Sequence, residues 1–79
     1  MDAPKSRDDL IAHIFELTRS YDSERNDWAN RDIGMFLHAM AAWLKDSKGY
    51  YQKTDQVLDV EKPSWQLFAD ALSAAAVYE

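Results

Sequence analysis

The fold turns on residues 30–49, NRDIGMFLHAMAAWLKDSKG. Ile33, Phe36, Leu37, Met40, Trp43 and Leu44 recur here at three- and four-residue steps and fill one continuous arc of a helical wheel. Met35, Ala39 and Ala42 extend apolar character beyond that arc, so only Gly34, His38, Lys45 and Asp46 mark a solvent side. A helix apolar around most of its circumference should touch more than one neighbour, which places it at the centre of a bundle. Asn30 suits the N-cap with Asp32 in the first turn, and Gly49 suits the position just past the end. The spacing therefore predicts a helix over residues 31–47.

Working outward, residues 22–30 (DSERNDWAN) are polar apart from Trp28 and read as a connection. Before them, Leu10, Ile14, Leu17 and Tyr21 share one face, flanked by Ile11, Phe15 and Thr18, with His13, Glu16, Arg19 and Ser20 opposite. Ser6 followed by Asp9 resembles a capping box, so a first helix is expected over 7–22. On the other side, Pro63 and Ser64 open a third helix over 65–78. Its main face is Trp65, Phe68, Ala69, Leu72, Ala75 and Ala76, and a second strip carries Leu67, Ala71, Ala74 and Tyr78. Residues 48–62 (KGYYQKTDQVLDVEK) form a connection longer than usual, so local order is expected there. The expected fold class is all-α, a small three-helix bundle with a long ordered connection between the second and third helices.

Length and composition support that reading. A chain of 79 residues has room for one domain and a small core. An apolar fraction of 47% with 29% charged residues is ordinary globular composition. Two glycines and two prolines are too few for a multi-stranded sandwich, and the lack of cysteine excludes disulfides and thiolate chemistry. Nine basic against fourteen acidic side chains give a net charge of −5. No basic stripe suits nucleic acid, and an anionic membrane surface would repel the chain. Met1 to Ser6 lacks the basic start and apolar run of a secretory leader, so a cytoplasmic location is expected.

Chemistry-bearing patterns are sparse. His13 and His38 fall on polar helix sides, and the His13–Glu16 spacing supplies at most two of the ligands that zinc needs. Asp46, Asp55, Asp59 and Glu61 do not follow the register of a calcium loop. No nucleophile elbow or phosphate-binding glycine loop is present. No metal, cofactor or catalytic residue is therefore expected. Aromatic residues are more informative. Trp43, Trp65 and Phe68 are expected to be buried within mutual reach, whereas Trp28, Tyr50 and Tyr51 fall in connections. Trp28 and one tyrosine suit plugs for the bundle ends. An adjacent tyrosine pair beside Asp55 and Asp59 also suits an anchor for a protein partner. The candidate partner-binding residues are thus Trp28, Tyr50, Tyr51, Asp55 and Asp59.

Trp28-Ala29-Asn30, Ala39 to Tyr51 (AMAAWLKDSKGYY), Pro63-Ser64-Trp65, Phe68 to Leu72 and the closing Tyr78-Glu79 resemble an uncharacterised family of small bacterial proteins. That resemblance implies a bacterial cytosolic protein and supplies no activity. A looser similarity links Tyr50, Tyr51, Asp55, Asp59, Pro63 and Ser64 to the acidic immunity proteins of nuclease colicins. It implies docking of the tyrosine pair and nearby carboxylates on a basic nuclease. Ile33 to Leu44 holds no carboxylate, which departs from that family's acidic helix. The expected function is a small acidic protein-binding module without catalysis, with an immunity-type inhibitor of a basic toxin as the alternative. In association, a monomer or weak homodimer is expected, residues 48–62 folding back to cover apolar strips with Tyr50, Val57 and Leu58.

Overall fold

The computed structural model describes residues 4–78, which form three α-helices and no strand among them. They are α1 (Arg7–Ser23), α2 (Ile33–Lys53) and α3 (Trp65–Val77), and a single 3-10 turn, Arg25–Asp27, lies within the first connection. The chain is a small all-α three-helix bundle, as the periodicity predicts. Met1 to Ala3 and Glu79, which belong to the leader reading and the closing motif, lie outside the described residues.

Each helix starts on a side-chain cap. Ser6 Oγ accepts the Asp9 N–H at 3.1 Å, and the Asp9 carboxylate accepts the Lys5 N–H at 3.0 Å. Ser64 Oγ accepts the Leu67 N–H at 3.0 Å. For α2 the cap is Asp32, whose carboxylate accepts the Met35 N–H at 2.8 Å, and not Asn30. Asn30 is buried and serves the opposite end of another helix. Its Nδ2 donates to the carbonyls of Ala75 (2.9 Å) and Tyr78 (2.8 Å), and its backbone N–H donates to that of Ala76 (3.1 Å). One residue of the first connection thus ties off the carbonyl end of α3.

The helix α2 runs six residues past its expected end and through Gly49. A glycine inside a helix costs about 1 kcal/mol. Burial of Tyr51, only 2% exposed, returns more, about 1.5–3 kcal/mol for a large side chain. Its hydroxyl also donates to Asp70 at 2.6 Å, which locks the last turns of α2 to α3. The helix stops instead at Asp55, whose φ of 58° is left-handed. The Gln56 N–H reaches the Tyr51 carbonyl (2.9 Å) and the Asp55 N–H that of Gln52 (3.2 Å), the two bonds of a Schellman stop. The connection is correspondingly shorter, and Tyr50 and Tyr51 belong to a helix.

The most extensive helix contact joins α2 to α3, and the next joins α1 to α3. The central helix is therefore α3, not α2. Five of the eight buried apolar residues among those described are alanines: Ala39 of α2 and Ala69, Ala71, Ala75 and Ala76 of α3. Short side chains bring the backbones close, so α3 has neighbours on two sides. Trp43 and Tyr51 pack with Ala71, and Met40, Leu67, Ala74 and Tyr78 surround them. Leu58 and Val60 of the last connection fold onto this cluster, whereas Val57 and Tyr50 stay exposed. Trp65 and Phe68 do not join Trp43 inside. They are 43% and 50% exposed, on a sector of α3 that the other helices cover incompletely.

Candidate functional site

Because α1 and α2 both lean on α3 and make no comparable contact with each other, an open cleft of about 370 Å³ remains between them. Ile14, Leu17 and Tyr21 of α1 form one wall, Ile33 and Phe36 of α2 the other, and Leu72 of α3 contributes from the central helix. Trp28 and Asn30 to Asp32 line it from the first connection.

An aromatic ladder fixes the connection side of the cleft. Tyr21 meets Trp28 edge-on at 5.2 Å between centroids, and Trp28 stacks on Phe36 at 6.0 Å. The Trp28 indole N–H donates to Ser20 Oγ at 3.1 Å, and the Tyr21 hydroxyl to the Arg31 carbonyl at 3.1 Å. The Arg25 guanidinium lies 4.5 Å above the Tyr21 ring. Rings held by this many partners offer a preorganised wall.

Further exposed apolar side chains lie on the same three helices. Ile11 lies one turn before Ile14 on α1, and Phe15 one turn after Ile11. Leu37 lies one turn after Ile33 on α2, and Leu44 two turns beyond it. Phe68 lies one turn before Leu72 on α3. All of these side chains are substantially exposed except Leu72, reaching 70% at Phe15 and 72% at Ile33. The broad apolar arc of α1 is the sequence signal for this surface. It reads as core until one knows that α1 meets only α3 extensively.

The five partner-binding candidates do not form one patch. Trp28 lines the cleft, while Tyr50 lines a second cavity between α2 and α3. Tyr51 is core and unavailable to a partner. Burial, the Asp70 hydrogen bond and charge, and the Tyr50 charge, in that order, hold its hydroxyl well above the ordinary tyrosine pKa. Asp55 forms the helix stop, and the Asp59 carboxylate accepts the Glu61 N–H at 2.9 Å in a local turn.

Two polar contacts are invisible in one dimension. His13, expected in solvent, is half-buried, and its Nε2 lies 2.7 Å from Ser73 Oγ, bridging α1 and α3. The described hydrogen bonds give His13 no orienting partner on Nδ1, so the pair makes a helix-to-helix tether. Tyr78 donates its hydroxyl to Asp46, and that bond, followed by burial and the Asp46 charge, raises its pKa. Among the described residues no group of three or more histidine or carboxylate side chains converges as a metal site would require.

Fold and surface together define a small all-α domain with an open apolar cleft. The chain belongs to a family of unknown function, DUF7660, whose model matches residues 6–79. No curated protein and no solved structure matches it. The similarity to colicin immunity proteins is therefore not shown, and burial of Tyr51 removes half of the tyrosine pair on which it rests. No helix among the described residues is long and apolar enough to cross a membrane.

Proposed function

We propose that this protein is a non-catalytic binding module whose cleft between α1 and α2 receives an amphipathic helix of a protein partner. The observation that carries the reading is the apolar lining of that cleft, with Ile14 exposed on one wall and Ile33 on the other, together with the exposed Ile11 and Phe15 elsewhere on α1 and Leu37 and Leu44 elsewhere on α2. Apolar surface of this kind on a small domain marks a contact site. Two helical walls beside a central helix suit a fourth helix presenting apolar anchors at i, i+3, i+4 and i+7. The net charge of −5 favours a partner with basic flanks and disfavours a second copy of this chain at close range.

The test is a photo-crosslinking side chain at Leu37, used in the cells that make the protein. A discrete adduct is expected, mapping to an amphipathic helical segment of another protein. Ile33→Asp and Phe15→Glu should abolish it, because both positions are exposed and tolerate charge without unfolding the bundle. An adduct that survives both changes, or one formed equally from Lys53 on the far end of α2, would refute the cleft as the docking surface.

A further inference from the structure

We propose that the second cavity, between α2 and α3, is a binding site for an organic ammonium group, a reading independent of the apolar cleft. This open cavity of about 500 Å³ is lined by Trp43, Tyr50 and Tyr78 together with Asp70 and Ser73. Of its three aromatic lining residues Tyr50 is exposed, Tyr78 half-buried and Trp43 buried behind them. Trp43 and Tyr50 lie 5.5 Å apart and tilted by 59°, which makes a corner and avoids a closed stack. Ring faces attract cations through their quadrupole, most strongly for tryptophan and where water is thinned.

Charge in the cavity points the same way. Asp70 lines it, and Asp46 holds the Tyr78 hydroxyl beside it. Among the described residues no lysine or arginine lines the cavity. The ion pairs among those residues are those of Arg19 with Glu16 and Glu24, so neither Asp46 nor Asp70 has an internal cation there. Each carboxylate accepts one phenol hydrogen bond on a single oxygen, from Tyr51 to Asp70 and from Tyr78 to Asp46. The second oxygen of each remains able to accept another donor. A phenol that donates to a carboxylate also becomes more electron-rich, which strengthens the Tyr78 face toward a positive guest.

The chemistry selects an alkylammonium over a metal ion. Calcium needs six or more oxygen ligands and magnesium an octahedral set, whereas the lining of this cavity holds one carboxylate, Asp70, beside a serine and aromatic side chains. A weakly hydrated organic cation loses little water on entry and gains the exposed Tyr50 ring and the Asp70 carboxylate. A lysine side chain of a polypeptide, methylated or not, and a free alkylamine share this head group.

Amide and indole NMR of the intact chain, at constant ionic strength, decides the matter. The probes are tetramethylammonium, N-acetyl-lysine methylamide and the neutral isostere neopentyl alcohol. Saturable shifts of the Trp43 indole N–H and the Ala74 and Val77 amides are expected with the cations, with affinity at least about tenfold above the neutral probe. Equal binding of both cations assigns the site to the ammonium head itself, and preference for the lysine derivative assigns it to a polypeptide side chain. Asp70→Asn should weaken cation binding by about tenfold. That change also touches the Tyr51 bond, so Tyr50→Leu, at an exposed ring, provides the second variant and should weaken binding severalfold with the helical signal intact. Equal shifts from neopentyl alcohol, no saturable shift up to about 50 mM cation, or an unchanged affinity in folded Tyr50→Leu would each overturn the proposal.

Discussion

Removing the amide of Asn30 should loosen the whole bundle, although the residue belongs to no helix. Asn30→Ala deletes two hydrogen bonds, to the carbonyls of Ala75 and Tyr78, and leaves the backbone bond to Ala76 in place. Each lost bond costs about 1 kcal/mol net, and a carbonyl left dry at the buried end adds about 1–2, giving about 2–4 kcal/mol. A domain of this length is stable by roughly 4–12 kcal/mol, so the loss is a large share. Asn30→Asp is a sharper version, because an ionised carboxylate would face carbonyl oxygens with no proton to donate. The pKa of the introduced carboxyl group should rise in the folded state above its unfolded value, which is about 3.9. The penalty is then absent below the unfolded value and fully present above the raised one. Urea unfolding followed by circular dichroism, at neutral pH and at about pH 3.5, measures both effects. The expected result is an aspartate variant worse than the alanine variant at neutral pH and closer to the wild type in acid. An alanine variant within about 0.5 kcal/mol of wild type would refute the role of Asn30 as the stop of α3.

Other substitutions test the remaining architecture. Trp43→Ala should cost about 3–5 kcal/mol, whereas Phe68→Ala, at a half-exposed ring, should cost about 1 kcal/mol or less by the same unfolding assay. Asp55→Gly should stabilise the protein by about 0.5–1 kcal/mol, because glycine adopts the left-handed stop without a side-chain penalty; thermal melts would show it. The raised pKa of Tyr51 means that its contribution is complete below about pH 10 and is lost as pH rises further. Tyr51→Phe should therefore flatten the alkaline fall in stability, read from unfolding at neutral and alkaline pH, with Tyr78 retaining a smaller effect of the same sign.

Three helices are legible in the sequence because their apolar steps of three and four residues and their capping residues, serine for α1 and α3 and aspartate for α2, are local signals. Chain order alone does not rank the neighbours. The wide apolar arc of α2 suggests a central helix, yet the small side chains of α3 decide which helix can be approached on two sides. The same fact leaves Ile33, Leu37 and Phe15 outside. Gly49 reads as a stop because the compensating burial of Tyr51 depends on Asp70, nineteen residues away. Asn30 is a cap-forming residue type, but the end it closes lies forty-five residues on. Of the site, Trp28 and Tyr50 can be found from their chemistry. Asp70, Ser73 and His13 escape such a reading because their significance is a tertiary contact.

Methyl NMR of the protein with the helical segment identified by crosslinking tests the docking cleft most directly. Shifts and line broadening are expected at Ile11, Ile14, Ile33, Leu37 and Leu72, with Val57, exposed on the last connection, unchanged. Perturbations centred on Val57 and Val60, with the isoleucines of the cleft unmoved, would contradict it.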